Sequence, residues 1–297
     1  MNISRRKWLG AAAAQAAALG QPAPSHPEAG VVKIEIAGAN RVVVSNGLPD
    51  HAIGDFPNRH DPVPIRAQEI SLRMPVKPTP AAKLRPLDMW LFGVAVNGVP
   101  FDPSGPFWKA EAESGWQFEV LHPANAVALG IDVNRAHTQG RGMYHYHGLP
   151  TGLLWVQCVA APEKAMQLLG YAADGFPIYG PECPGEATDL KSRVRRLRPS
   201  YRLLDGRRKD GPKGRFDGTF VQDFVYAPRH GDLDECNGRF GPTPEYPDGT
   251  YYYVLTDEFP YIPRLYHGTP DASFKHGPPP GMSAPVPPEM MKYEGVG

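Results

Sequence analysis

Cysteine is scarce in this chain. Cys158, Cys183 and Cys236 allow at most one disulfide and leave a thiol over, which is no disulfide framework. Net charge is absent, since 31 Lys and Arg meet 31 Asp and Glu. A neutral chain has no global electrostatic pull toward nucleic acid or a membrane surface. Long apolar runs are missing too. The Ala-rich segment 9–19 is interrupted by Gln15 and falls well short of the roughly 18–20 apolar residues a spanning helix needs, so no transmembrane anchor is expected. The chain also has no Gly-x-Ser-x-Gly elbow, no His-Glu-x-x-His, no phosphate loop and no dinucleotide fingerprint.

Proline and glycine are abundant, at 35 and 32 of 297 residues. Disorder is one source of such an excess; a fold with many turns and long ordered loops is the other. The 5 Trp, 13 Tyr and 12 Phe favour the second, because disordered chains are poor in aromatics. The Pro-rich tail, 276–297, is set apart from the rest. Residues 1–23 read as an export address. Arg5-Arg6 follows Ser4, the short Ala-rich segment comes next, and small residues at Ala16, Ala18 or Ala23 offer cleavage points. This is a twin-arginine pattern, which predicts contact with that export machinery and a periplasmic or secreted location.

The remainder, 30–275, reads mainly as strands. Residues 31–36 and 41–45 flank Gly38-Ala39-Asn40, a hairpin signal. Ile70, Leu72, Met74 and Val76 alternate with Ser71, Arg73 and Pro75, as on a half-buried strand. The apolar run 87–96 ends in the turn dipeptide Asn97-Gly98. Trp116, Phe118 and Val120 alternate, and 219–226 and 250–256 are rich in aromatic and β-branched residues. Pro162 followed by 163–169 and Gly170 predicts a short helix. The expected fold is mainly β: a single β-sandwich or barrel-like domain with long loops and one or two short helices.

One stretch breaks the charge balance. Arg193, Arg195, Arg196, Arg198, Arg202, Arg207, Arg208, Lys209, Lys213 and Arg215 face only Asp205 and Asp210 in the same stretch. A solvated loop accounts for it, and a contact for an anionic substrate or surface is the sharper alternative. Tyr201 is its lone aromatic, too little for stacking on single-stranded nucleic acid, and no nucleic-acid partner is expected.

The chemistry concentrates in Ala136-His137-Thr138-Gln139-Gly140-Arg141-Gly142-Met143-Tyr144-His145-Tyr146-His147-Gly148. On a strand, His145 and His147 share one face, about 6–7 Å apart, and Tyr144 and Tyr146 share the other. A hairpin at Gly140 and Gly142 brings His137 back beside the pair. Three imidazoles around an open position form a catalytic zinc arrangement, and copper accepts imidazole as well.

At these residues the chain resembles the YHYH family, named for the Tyr-His-Tyr-His run. Further blocks carry the resemblance: Ser45-Asn46-Gly47-Leu48-Pro49-Asp50-His51, Phe56-Pro57-Asn58, Val96-Asn97-Gly98-Val99-Pro100-Phe101, Asp174-Gly175-Phe176-Pro177-Ile178-Tyr179-Gly180 and Asp232-Leu233-Asp234-Glu235-Cys236-Asn237-Gly238-Arg239. The resemblance implies an exported protein and brings no settled reaction.

The last block holds the expected proton chemistry. Asp232, Asp234 and Glu235 can bind Ca²⁺ or serve as general base, with Arg239 and Asn237 orienting substrate beside Tyr144 and Tyr146. A loop-bracing network is the structural alternative. Asp174 is read first as a turn residue and second as a pocket wall. His51 and His60 are candidate extra ligands. The expected protein is therefore an exported metal-dependent hydrolase or related acid/base enzyme with zinc (alternatively copper) on His137, His145 and His147. It would act on a small-molecule or saccharide-like substrate. A copper- or zinc-binding protein without turnover and a carbohydrate or surface-binding module are the alternatives.

Overall fold

The period-2 pattern at 70–76 becomes the inner edge of a sheet. The computed structural model describes residues 28–162 and 166–275; the export address, the Pro-rich tail and residues 163–165 lie outside them. Strands β1 (Val32–Ala37), β2 (Asn40–Ser45) and β3 (Ile70–Pro75) pair antiparallel in that order. The expected hairpin joins the first two, with Ala37 opposite Asn40. On β3, Leu72 and Met74 are buried while Ser71 and Arg73 face solvent.

The remaining elements follow in chain order. They are β4 (Pro80–Pro86), β5 (Gly93–Ala95), β6 (Pro100–Phe101), helix α1 (Pro123–Ala128), β7 (Ala136–Gln139) and β8 (Met143–Tyr146). Helix α2 (Thr151–Ala160) precedes β9 (Leu168–Ala172), β10 (Pro177–Tyr179), β11 (Glu182–Pro184), β12 (Val194–Arg196) and β13 (Tyr201–Leu203). Last come β14 (Phe224–Tyr226), β15 (Gly238–Thr243), β16 (Tyr246–Val254) and β17 (Leu265–Gly268). Eight of these strands build the main sheet, in the order β15-β16-β10-β9-β5-β6-β8-β7. It is mixed: β10 with β16 and β6 with β8 run parallel, the other neighbours antiparallel. β15 and β7 are its free edges, so the sheet is open and the barrel-like alternative does not hold. Three two-stranded ladders, β11-β12, β13-β14 and β4-β17, complete the β structure.

Aromatic rings fill the core. Phe92, Phe101, Tyr144, Tyr146, Tyr253 and Tyr266 are fully buried in one apolar cluster, with Phe92 and Tyr266 stacked at 5.4 Å. The strand expected around Trp116, Phe118 and Val120 reduces to isolated bridges from Gln117 to Phe107 and from Phe118 to Phe220, although Phe118 and Val120 are buried. Within 219–226, a single 3-10 turn at Val221–Asp223 precedes β14.

Of the helix expected at 164–169, positions 164 and 165 lie outside the described residues, and the rest is a correction. Strand β9 begins at Leu168 and runs between β5 and β10. Gly170, read as a helix stop, sits in the middle of that strand. A Cβ there would stand 2.3 Å from the Val94 carbonyl oxygen, so the glycine allows close approach of two central strands. The longer helix lies upstream, at α2. Its first turn is capped from a distance, as Asn134 Oδ1 accepts the Gly152 amide at 2.8 Å, which ties α2 to the segment entering β7.

The β7-β8 turn depends on glycine. Gly140 and Gly142 have φ of 56° and 92°, and a Cβ on Gly142 would lie 2.5 Å from the Pro64 carbonyl oxygen. Its own carbonyl accepts the Arg66 amide at 2.9 Å, which lays the 58–66 loop over the hairpin. Gly142→Ala is therefore expected to cost about 1–3 kcal/mol, from positive φ and the carbonyl clash together, read as a lower urea midpoint. A midpoint unchanged within error would show that the turn is not held in this conformation.

Candidate metal centre

Two cross-strand rules assemble the site. In the β7-β8 hairpin, His137 lies directly opposite His145 and Thr138 opposite Tyr144. Residues directly opposite on antiparallel strands send their side chains to the same face. His147 follows β8, and its amide donates to the Arg135 carbonyl at 2.7 Å, continuing the ladder. The three imidazoles meet as a triangle, with ring centroids 4.8 Å apart for 137–145, 5.0 Å for 137–147 and 4.6 Å for 145–147. One nitrogen from each lies within 4.8 Å of the other two. All three are buried, at 8%, 0% and 2% exposure.

Hydrogen bonds decide what the nitrogens offer. Nδ1 of His137 is 2.9 Å from the Leu129 carbonyl, and Nδ1 of His145 is 3.2 Å from the Met143 carbonyl. A carbonyl only accepts, so each Nδ1 carries a proton, and in the neutral ring Nε2 then presents a lone pair. His147 differs, because both its nitrogens are buried without a hydrogen-bond partner. Burial pushes its pKa well down, and the neighbouring His145, His137 and Arg264 push the same way. Burial also lowers His137, opposed by Asp61. Neutral imidazoles with converging lone pairs are the donor set of Zn²⁺ or copper. Zinc–nitrogen bonds of about 2.0–2.1 Å place tetrahedral ligands roughly 3.3 Å apart, so the rings would draw inward around such an ion.

Asp61 is the residue the sequence did not disclose. Its Oδ2 accepts the Thr138 amide and hydroxyl, both at 2.9 Å, and stands 3.7 Å from Nδ1 of His137. It lies 76 positions before His137, and only the folded 58–66 loop brings it there. No local spacing could have signalled it.

The tyrosines of the signature face away from the histidines. Tyr144 donates to Asp132 at 2.7 Å, and the Tyr146 hydroxyl meets His51 Nε2 at 2.6 Å and Asn97 Nδ2 at 3.0 Å. Burial, as the largest cause, holds both phenols well above their usual pKa. Placed in the core, they brace the strand from behind, and their expected role of orienting substrate has no support in this placement. His51 belongs to that bracing, and neither His51 nor His60 joins the histidine group.

The acidic block is likewise not brought to the histidines, and none of Asp174, Asp232, Asp234 and Glu235 joins that group. Asp232 forms a two-pronged ion pair with Arg195, at 2.7 and 2.6 Å, which holds its carboxyl below the usual range. Asp234 accepts the Cys236 and Gly238 amides and the Tyr251 hydroxyl, while Glu235 is exposed. Arg239 donates to the Tyr252 hydroxyl and to the Pro184 carbonyl, both at 2.6 Å. Asn237 takes φ of 54° and donates to the Val254 carbonyl. Among the described residues the histidines form the one group of three metal-ligating side chains, so the calcium expectation at Asp232, Asp234 and Glu235 gains no support.

Asp174 occupies the β9-β10 turn, as a turn aspartate should. It is buried and accepts the Tyr253 hydroxyl at 2.5 Å and the Gly268 amide at 2.8 Å. Burial raises its pKa from 3.8 to about 6 against those bonds.

The family profile described as "YHYH protein" matches residues 71–268, two thirds of the chain. No curated protein and no solved structure matches it. No helix among the described residues is long and apolar enough to cross a membrane.

Two measurements check this arrangement. The raised Asp174 pKa means that the folded state holds this proton more tightly than the unfolded chain does. Its contribution to stability is complete below 3.8 and is lost as pH rises through about 6, a change of ~3 kcal/mol. Asp174→Asn should flatten that slope in denaturation profiles across the window; an unaltered slope would contradict it. Asp61→Asn should lower affinity for added Zn²⁺ by roughly 10–100-fold, as losing a ligand-supporting partner does. Equal titration curves for the two proteins would exclude the supporting role.

Proposed function

Because the chain belongs to the YHYH family and its signature histidines close on one another, we propose that it is an exported metal-binding protein whose three-histidine site serves a hydrolytic or related acid/base reaction. One observation carries the reading: His147 has two buried nitrogens without a hydrogen-bond partner, inside a triangle of buried imidazoles. Leaving a buried polar atom unsatisfied costs on the order of 1–3 kcal/mol, and a coordinated cation would remove that cost for the one nitrogen it takes. His137, His145 and His147 would hold the ion, which would supply a Lewis acid at neutral pH. Three protein ligands leave a position for a small-molecule or saccharide-like substrate. The Leu129 carbonyl holds the proton on Nδ1 of His137, and the Asp61 carboxylate 3.7 Å away places a negative charge beside that ring. The twin-arginine pattern at Arg5-Arg6 supports export with the ion already loaded, to the periplasm or beyond.

A second reading rests on burial. With exposures of 8%, 0% and 2%, the histidines leave little room for a bulky substrate. A zinc- or copper-binding protein without turnover needs no such room.

Elemental analysis of protein purified without added metal should find a stoichiometric transition metal. His147→Ala should abolish it while leaving the fold intact. Absence of metal, with no uptake of zinc or copper, would end both readings. Turnover on ester, phosphate, lactone or glycoside panels, lost on chelation and restored by zinc, selects the enzyme. Redox-active copper without turnover selects the second reading. Saccharide binding that persists after loss of all three histidines would point instead to a carbohydrate-binding module.

A further inference from the structure

Seven of the ten basic residues in 193–215 fall into two sets, apart from Arg193, Arg198 and Arg202. Arg195 is paired with Asp232, and Arg196 with Glu182 at 2.8 Å and Asp257 at 2.7 Å. Arg208 is buried and grips Asp223 through Nε and Nη2 and Asp217 through Nη2, with its guanidinium 4.9 Å from the Phe220 ring centre. Those arginines are structural. Arg207, Lys209, Lys213 and Arg215 are exposed, and no carboxylate pairs with them among the described residues.

Backbone register gathers these four. Arg207 and Arg215 form an antiparallel bridge flanked by the bonds Arg208 N to Gly214 O and Phe216 N to Gly206 O. That pattern defines the non-hydrogen-bonded pair, in which opposed side chains come closest. Two arginines are thus rooted directly opposite one another, and like charges at such positions are destabilising. Lys209 and Lys213 stand at the tip, with Asp210 as its one carboxylate. The hairpin is anchored at both ends: at its base by buried Arg208, and at its tip by Gly211, where a Cβ would stand 2.0 Å from the Trp116 indole nitrogen.

From this geometry we infer that the hairpin is an anion-docking surface whose partner is the phosphate-bearing headgroup layer of an anionic lipid membrane. Adjacent guanidinium groups match phosphate oxygens in fork geometry. At the tip the exposed side chains are Lys209, Asp210 and Lys213, while Pro212 is buried, so no exposed apolar side chain is offered for insertion and the contact is with headgroups and not with acyl chains. The stretch holds one aromatic before its last residues, Tyr201, too few for a nucleic-acid stacking platform. The inference is independent of the metal centre.

The full chain should co-sediment with phosphatidylcholine vesicles containing phosphatidylglycerol, not with phosphatidylcholine alone, and high salt should release it. Arg207→Gln/Arg215→Gln should weaken partitioning at least roughly tenfold, since each basic residue near an anionic surface contributes separately. Its melting temperature should hold or rise, because a like-charge pair has been removed. Lys77→Gln/Lys83→Gln, exposed and elsewhere, should bind nearly as well as the parent. Equal loss in both double variants, binding unaffected by Arg207→Gln/Arg215→Gln, or capture by heparin but not by vesicles would each overturn the inference.

Discussion

The antiparallel register of β7 against β8 is the constraint on which the rest of the centre depends. Pairing His137 with His145 places two imidazoles on one face, and one further step along the chain adds His147. A slip of one residue would turn the tyrosines to that face and the histidines into the aromatic core. Several features prevent it. Gly140 and Gly142 fix the turn, Asp61 grips Thr138 from outside, and Tyr144 and Tyr146 are hydrogen-bonded behind the strand. The signature alternation is thus a division of labour between faces, with tyrosines locking the strand and histidines presented by it.

Burial gives the triangle its chemistry. Removing imidazoles from water disfavours their charged forms, and three together disfavour them further, so the lone pairs stay available. The same burial limits what can approach. Access and basicity are therefore set by one variable, and this trades substrate size against ligand strength.

Much of the fold was legible in the sequence because its signals were local. The β1-β2 hairpin, the alternation at Leu72 and Met74 and the strand face of His145 and His147 are properties of short windows. The error at 166–169 was local as well: Gly170 looks like a helix stop but admits the Val94 backbone in mid-sheet. What could not be read was non-local. Asp61 reaches His137, and Asn134 caps α2, through contacts that no periodicity encodes.

The acidic block shows why density of polar residues misleads. Asp234, Cys236, Asn237, Gly238 and Arg239 attract notice because they are crowded. Crowding is also what a tight turn needs to satisfy its own backbone, and Asp234 spends its oxygens on two amides and a tyrosine. Asn237 leaves one buried oxygen over, whereas His147 leaves both nitrogens. A functional centre is better marked by unspent hydrogen-bonding capacity that converges than by reactive side chains that merely cluster. By that measure the histidines are the stronger candidate for a metal site, and the carboxylate beside them is Asp61, which the chain holds 76 positions before His137.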